Sequence, residues 1–459
     1  MTTSRRMKLG ASFYPSGYHV AGWRYPGAVP DGGINLAHHI EVAQGAEKAG
    51  FDFFFLADIN GIWDPDIDAV SYTTWSAKFE PLTVLSALAM VTSRIGLVAT
   101  ASTTYNDPFN LARRFASLDH ISGGRAAWNL VTSATASEAA NFSRDSHPDH
   151  GDRYARAREF VEVVTGLWDG WEDDAYGFDR ANGRCFDPAK VHRLDHRGPF
   201  FQVAGPLNLP RPVQGHPVMV QAGLSEAGRD LAAATGEVLF TAQPTLDGAK
   251  AFYRDVKARV VRYGRDPAHL SIMPGAVTVI GQTKSEAEDQ IAALNGLLEP
   301  KPGLAFMSGL IGDTDLSRFP LDEPLPPLPK TEGPKGRQQL VVERARRDGA
   351  TLRELYQSIA LTSSHRLVYG SPVEVADQLE DWFVAGGCDG YNIAPAHAPQ
   401  GFTDFFSAVV PELQRRGLVR TRYEGSTLRE NLGLPRPATR YAAATEAEQT
   451  APDPETIAS

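Results

Sequence analysis

The chain has 459 residues, of which 42% are hydrophobic and 22% are charged, and its formal net charge is −10. This composition is typical of a globular protein whose core is large enough to fold without disulfides or structural metals. The acidic balance argues against nucleic-acid and membrane-surface partners, because both favour clustered Lys and Arg.

Targeting signals and redox motifs are not evident in the sequence. No apolar run approaches the roughly 20 residues of a membrane span, and the basic N-terminus precedes an apolar stretch too short for a signal peptide. The two cysteines, Cys185 and Cys388, match no metal or redox spacing. We therefore expect a cytoplasmic protein.

Apolar runs alternate with amphipathic stretches along most of the chain. The runs predict strands at Lys8–Phe13, Phe51–Leu56, Arg94–Thr100, Arg125–Val131, Pro217–Gln221, Val238–Phe240, Leu270–Ile280 and Gly390–Ile393. The amphipathic stretches predict helices at Asn35–Ala49, Pro81–Val91, Pro108–Asp119, Tyr154–Trp168, Ser225–Thr235, Leu246–Tyr263, Ser285–Leu297, Pro372–Ala385 and Phe402–Arg415. Repeated β-α units with short connections predict an α/β fold, a (β/α)8 TIM barrel with insertion segments.

Three segments interrupt this alternation. Residues 169–209 show no clear period, and residues 299–334 form a proline-rich, irregular excursion that we expect to act as a lid. We expect residues 1–436 to form a single domain that contains both insertions. The Ala-, Thr- and Glu-rich residues 437–459 are predicted to be a disordered tail.

Barrel enzymes bind their ligands at the carboxyl ends of the strands, and polar residues follow several predicted strands here. Asp58 follows one of them, Thr100 ends another and Asn129 lies near the end of a third. Asp58 either binds a ligand or caps local backbone. After the next strand, Gly223 permits a close turn and Ser225 can begin a helix. The free N–H groups and dipole of such a helix favour a phosphate, although Ser225 could be only an N-cap.

Histidines and tyrosines offer further candidates. His150 and Tyr154 are four residues apart and share a helix face if the helix begins early enough, so Tyr154 either bonds a ligand oxygen or packs. His38 and His39 lie on a helix expected to coat the outside of the barrel, without zinc-ligand spacing, so we expect no metal site. The sequence carries no dinucleotide or P-loop motif. These residues therefore indicate a phosphate-bearing ligand at the barrel mouth, without naming the chemistry.

Several motifs extend this reading over nearly the whole chain. They are FDFFFLAD at 51–58, LDHISGGR at 118–125, WNLVTS at 128–133, DRY at 152–154, DPAKVH at 187–192, QAGLS at 221–225 and TLRENLGL at 427–434. Together they resemble one group of bacterial-luciferase-like FMN-dependent monooxygenases. That group includes nitrilotriacetate, EDTA, long-chain alkane and dibenzothiophene-sulfone monooxygenases.

The resemblance implies a two-component flavin-dependent monooxygenase. Reduced FMN (FMNH2), delivered by a separate NAD(P)H:FMN reductase, would react with O2 to oxidise a small organic sulfur, nitrogen or xenobiotic substrate. The barrel would have to exclude water during this reaction. A homo-oligomer is the expected assembly. The alternatives are a deazaflavin-dependent oxidoreductase and a non-catalytic flavin-binding barrel.

The resemblance also implies roles for individual residues. The FMN-binding residues would be Asp58, Thr100, Asn129, His150, Tyr154, Leu224 and Ser225. His19 is the candidate catalytic residue, within a segment from Tyr14 to Trp23 that we expect to line the substrate side. Ala134 stands where the alkane enzyme carries a histidine, so alkane hydroxylation is not expected.

Overall fold

A computed structural model describes residues 5–64, 66–133, 137–312, 314–329 and 335–441. Ala134 lies outside these residues, as does the predicted tail from residue 442 onward. Within the described residues, no helix combines the length and apolar character that crossing a membrane requires.

The strands of the described residues fall into one large parallel sheet and two small hairpins. In chain order they are β1 (Lys8–Ser12), β2 (Phe53–Leu56), β3 (Gly96–Ser102), β4 (Ala126–Val131), β5 (Tyr176–Asp179), β6 (Arg184–Phe186), β7 (His196–Arg197), β8 (Gln202–Val203), β9 (Val218–Ala222), β10 (Val238–Thr241), β11 (Ser271–Ile280), β12 (Arg366–Gly370) and β13 (Gly390–Pro395).

The large sheet closes on itself. Its neighbouring strands run in the order β1, β2, β3, β4, β9, β10, β11 and β13, and β13 pairs with β1. These eight parallel strands form the predicted (β/α)8 barrel, which is therefore confirmed. Each predicted strand overlaps one barrel strand. Strand β12, which was not predicted, pairs with the second half of β11.

Helices connect the strands and cover the barrel. They are α1 (Leu36–Lys48), α2 (Ile67–Val70), α3 (Pro81–Ala89), α4 (Pro108–Ser122), α5 (Ser137–Ala140), α6 (His150–Trp168), α7 (Glu226–Thr235), α8 (Leu246–Arg262), α9 (Lys284–Gly296), α10 (Pro300–Leu310), α11 (Lys335–Asp348), α12 (Leu352–Thr362), α13 (Pro372–Val384), α14 (Gln400–Asp404), α15 (Val410–Arg415) and α16 (Leu428–Leu432). A π-helical turn at Phe405–Val409 joins α14 to α15.

Burial on both faces explains the continuous apolar runs of the barrel strands. In β2, Phe53 and Phe55 belong to the cluster inside the barrel, whereas Phe54 and Leu56 pack in the cluster formed with the surrounding helices. Successive side chains of a strand point to opposite faces, and all four residues are buried because both faces of β2 are covered.

The segment at 299–334 is more regular than its prolines suggest. Its described part contains α10, with Pro300 and Pro302 at the start of the helix, where a missing N–H breaks no intrahelical bond. Met307 of α10 packs with Tyr356 and Ile359 of α12 in a separate apolar cluster. The expectation of a wholly irregular excursion was therefore wrong.

The other two interrupting segments also make ordered contacts. Within 169–209, β5 pairs with β6 and β7 pairs with β8 as short antiparallel hairpins. Residues 437–441, placed in the predicted tail, lie against the insertion and the residues that follow it. Arg211 donates to the Pro437 carbonyl oxygen at 2.8 Å, and the Tyr441 ring stacks on His192 with centroids 3.9 Å apart.

A buried ion pair anchors the C-terminal segment to the end of the barrel opposite the strand carboxyl ends. Arg429 of α16 donates to both carboxylate oxygens of Glu237, at 2.7 and 2.9 Å, and to the His216 carbonyl oxygen at 2.8 Å. The Arg429 side chain is only 3% exposed. Removing one partner leaves a buried, uncompensated charge.

We expect Arg429→Met to lower the free energy of unfolding by about 3 kcal/mol, because Glu237 would remain charged and buried. The double variant with Glu237→Gln should lose less, since no lone charge remains. Urea unfolding followed by circular dichroism measures both. Arg415→Met, which removes an exposed pairing with Glu412, is the control and should cost about 0.5 kcal/mol. Equal losses in the single and double variants would contradict this account.

Candidate functional site

Two adjoining cavities open at the carboxyl ends of the barrel strands. The polar cavity, of about 370 Å³, is lined by residues that include Thr132, Ser133, His150, Tyr154, Gly223, Leu224, Ser225 and His365. The aromatic cavity, of about 300 Å³, is lined by residues that include Phe13, Tyr14, Tyr18, His39, Trp63, Trp75, Phe79 and Phe306. Asp58, Ile59 and Arg337 line both cavities and thus mark the junction between them.

The start of α7 forms one wall of the polar cavity. Ser225 is the N-cap of α7, and its Oγ accepts a hydrogen bond from the Gly228 N–H at 3.2 Å. A Cβ on Gly223 would lie 3.1 Å from the Gly228 Cα, so glycine permits this close turn. The first N–H groups of a helix lack intrahelical partners, and its dipole favours an anion. This wall therefore suits a phosphate group.

Helix α6 brings two predicted residues to the same wall. The helix begins at His150, early enough that His150 and Tyr154 share a face, with ring centroids 4.8 Å apart. The Tyr154 hydroxyl lies 3.5 Å from the Ser225 Oγ. Two hydroxyl groups from distant parts of the chain thus meet beside the start of α7.

Most of the predicted cofactor-binding residues lie around the polar cavity. Asp58, His150, Tyr154, Leu224 and Ser225 line it. Thr100 lines a smaller neighbouring cavity, which Asp58 also borders.

Asn129 is not among the residues that line the two cavities, and it is hydrogen-bonded to Thr100. The Asn129 Nδ2 donates to the Thr100 Oγ1 at 2.8 Å, and the Thr100 hydroxyl donates to the Leu56 carbonyl oxygen at 2.7 Å. The Asn129 Oδ1 is buried and accepts no hydrogen bond within the described structure.

His19 is not brought to either cavity. The ring is fully buried, its Nδ1 accepts from the Ala21 N–H at 3.0 Å, and its Nε2 lies 3.3 Å from the Asn295 Oδ1. Burial lowers the pKa of His19 to about 4. Its neighbours Tyr14 and Tyr18 line the aromatic cavity instead. In this geometry His19 is a buried residue outside the lining of both cavities, and its catalytic role stays a prediction.

The insertion at 299–334 supplies part of the aromatic wall. Phe306 of α10 contacts Trp75 and Trp63, with centroid distances of 5.0 and 6.1 Å. His39 also lines this cavity, although its helix was expected only to coat the barrel. Among the described residues, no group of three His, Cys, Asp or Glu side chains could hold a metal ion.

Asp58 and Lys78 form an ion pair at the junction, with the Lys78 Nζ 3.1 Å from the Asp58 Oδ1. Burial raises the pKa of Asp58, and the Lys78 charge opposes that rise. The junction thus holds a partly buried carboxyl group whose ionised form is favoured by Lys78.

Arg337 and His365 form a second polar pair at the junction. The Arg337 Nη2 lies 3.1 Å from the His365 Nε2, and the Arg337 Nη1 donates to the Ser363 carbonyl oxygen. Burial, reinforced by the Arg337 charge, lowers the pKa of His365 well below its usual range. A Cβ on Gly275 would lie 2.4 Å from the His365 Nδ1, so glycine there makes room for the ring.

No sequence pattern pointed to several of these residues. Arg337 and Phe306 lie in or beside a segment without period, and His365 precedes the strand that was not predicted. Two expectations pointed to this side of the site: that residues 299–334 act as a lid, and that the segment from Tyr14 to Trp23 lines the substrate side.

The chain is similar to known proteins over most of its length. A family model described as luciferase-like monooxygenase matches residues 16–390. Nitrilotriacetate monooxygenase component A from Aminobacter aminovorans is 49% identical over 445 residues, which cover 95% of this chain and 98% of that protein. N-acetyl-S-(2-succino)cysteine monooxygenase from Bacillus subtilis (strain 168) is 47% identical, with 96% and 100% covered.

A solved structure adds a flavin to the comparison. The crystal structure of riboflavin lyase with modified FMN and the substrate riboflavin has a TM-score of 0.84 and 33% identity. The match covers 95% of this chain and 98% of that one.

We expect Lys78→Met to raise the pKa of Asp58 further, because losing the nearby positive charge disfavours the carboxylate. Trp63 and Trp75 line the same cavity, so a pH titration of tryptophan fluorescence should show a transition with a higher midpoint than in the wild type. Asp58→Asn should abolish that transition, and Lys48→Met, at an exposed lysine of α1, should leave it unchanged. A midpoint that does not move in Lys78→Met would rule out this coupling.

Proposed function

The chain belongs to the luciferase-like monooxygenase family, and on that premise we propose that it is the oxygenase component of a two-component system. It would oxidise a small organic substrate with O2 and with FMNH2 supplied by a separate NAD(P)H:FMN reductase. The observation that carries the proposal is the pair of adjoining cavities, one polar and one aromatic, at the carboxyl ends of the strands. The first fits a phosphate-bearing cofactor and the second fits an organic substrate.

When bound, FMNH2 supplies the two electrons and two protons with which one atom of O2 becomes water while the other enters the substrate. The balance is one substrate, one O2 and one FMNH2 giving one oxygenated product, one FMN and one water. The chain shows no dinucleotide motif of its own. That is consistent with reduction of the flavin by another protein.

The polar cavity supports FMN as the cofactor. Ser225, Tyr154 and the first N–H groups of α7 would hold the phosphate, with Leu224 supplying backbone beside it. His150 would lie beside the ribityl chain of FMN, which links the phosphate to the ring. On the ring side, the unpartnered Asn129 Oδ1 needs a hydrogen-bond donor, and reduced flavin rings carry N–H groups.

Asp58 and Thr100 complete the proposed FMN site. Asp58 lies at the junction of the cavities, and Thr100 orients the Asn129 amide by accepting from its Nδ2. Asp58 places a polar group at the aromatic cavity, and Thr100 lines the smaller cavity that Asp58 also borders. The ring would thus lie between the residues that bind the phosphate and the residues that surround the substrate.

The aromatic cavity and the insertion would keep water from the reaction. Trp63, Trp75 and Phe306 surround the cavity with apolar rings, and Phe306 comes from the 299–334 segment that we propose as the lid. Excluding water protects the activated oxygen until it meets the substrate. Motion of this segment would admit substrate and release product.

The alternative functions are less well supported. A deazaflavin-dependent oxidoreductase would not use O2, whereas the relatives at 49% and 47% identity are named monooxygenases. A non-catalytic flavin-binding barrel would not require the substrate-sized aromatic cavity beside the polar one. Association into a homo-oligomer remains part of the proposal, as the usual state of such enzymes.

We expect the purified protein, supplied with photoreduced FMN and 18O2, to place one 18O atom in a product of nitrilotriacetate or N-acetyl-S-(2-succino)cysteine. The two relatives take their names from these compounds. Mass spectrometry of the product measures the label, and a reaction in H2 18O with ordinary O2 is the control. Unlabelled product in the first reaction would overturn the oxygenase assignment.

We expect Ser225→Ala to weaken binding of FMNH2 about tenfold, because a hydrogen bond to a charged phosphate is lost. Tyr154→Phe should have a similar effect. Anaerobic titration of flavin fluorescence measures both affinities. Ser371→Ala, which removes the same kind of N-cap from α13, should cost stability without changing the affinity. If Ser371→Ala weakened binding equally, the effect of Ser225 would be structural only.

A further inference from the structure

Arg337 is the feature of the junction that the proposed reaction does not use. It lies near the start of α11, just after the insertion, and lines both cavities. Its guanidinium is bonded to the Ser363 carbonyl oxygen and to the His365 imidazole. Both partners are neutral. The Ser363 carbonyl carries no charge, and burial together with the Arg337 charge holds the pKa of His365 well below its usual value.

No carboxylate of the described chain neutralises Arg337. The other cation of the junction, Lys78, is paired with Asp58 at 3.1 Å. Coulomb interactions strengthen as the surroundings exclude water. An arginine held among buried neutral groups therefore attracts an anion that the described residues do not supply, and its planar fork suits a carboxylate.

The surroundings of Arg337 place this anion on the substrate side. Arg337 lines the aromatic cavity together with Tyr14 and Tyr18, and these two tyrosines do not line the polar cavity. Burial raises the pKa of both phenols, so they remain protonated hydrogen-bond donors. The proposed phosphate-binding residues, Ser225 and Tyr154, line the polar cavity alone.

We propose that Arg337, with the Tyr14 and Tyr18 hydroxyls beside it, binds a carboxylate of the substrate, so that this enzyme acts on small organic carboxylates. The inference rests on the proposed function and names its substrate class. The carboxylate anchors the substrate at the junction, and the remainder of the molecule occupies the aromatic cavity. The oxidised atom then lies near the proposed flavin ring.

The test compares charged probes with their neutral esters. Nitrilotriacetate and N-acetyl-S-(2-succino)cysteine are titrated into the wild-type protein, each beside its fully methylated ester, and tryptophan fluorescence reports binding through Trp63 and Trp75. We expect each carboxylate to bind at least about tenfold more tightly than its ester. Esters that bind as well as the acids, or acids that do not bind at all while FMNH2 binds, overturn the proposal.

Variants assign the effect to Arg337. Arg337→Met should weaken carboxylate binding about tenfold or more and leave ester binding unchanged, and Arg337→Lys should restore part of the loss. Arg346→Met removes an exposed arginine from the same helix and should behave as the wild type. Carboxylate binding unchanged in Arg337→Met overturns the proposal.

The affinity for FMNH2 separates this inference from a cofactor role. We expect it to change less than about twofold in Arg337→Met. A tenfold loss of FMNH2 affinity with unchanged carboxylate binding would assign Arg337 to the flavin instead. If carboxylates bind through Arg337 but no 18O enters them, the proposed function fails while the binding site stands. If carboxylate substrates are oxidised equally well by the wild type and by Arg337→Met, the function stands and this inference fails.

Discussion

Closure of the barrel, through the pairing of β10 with β11 and of β13 with β1, is the constraint on which the rest of the structure depends. A closed sheet leaves no unpaired edge, and parallel strands bring all their carboxyl ends to one rim. Asp58, Thr100 and Ser225 are far apart in sequence but meet at that rim. The candidate site is therefore a consequence of topology more than of any single motif.

Local signals explain why this part of the site could be predicted. The continuous apolar run Phe51–Leu56 predicted a buried strand. Asp58 comes just after that strand, so it was expected at the rim. Ser225 has the side chain of an N-cap, and the four-residue spacing of His150 and Tyr154 is that of one helix face. Each inference needed only the residues around it and the polarity of a parallel barrel.

The rest of the site depends on contacts that no local pattern records. Pro300 and Pro302 suggested an irregular loop, yet they begin the helix that carries Phe306 into the aromatic cavity. The family resemblance made His19 a catalytic candidate, but Asn295 of a distant helix and the Ala21 N–H hold its ring in the interior. Burial and partner choice at these positions are tertiary properties, which the spacing of residues does not encode.

The barrel rim and the segment formed by the insertion and α11 contribute different parts of the candidate site. The barrel rim supplies hydroxyl groups, an amide and the start of a helix, which suit the proposed FMN cofactor. Their positions are set by the barrel strands. The insertion and α11 supply Phe306 and Arg337, which shape and charge the aromatic cavity without being needed to close the barrel. Segments outside the scaffold tolerate change better than the strands do. Substrate preference can therefore change through the insertion while the proposed flavin site stays intact, because the two sets of residues meet only at the junction beside Asp58.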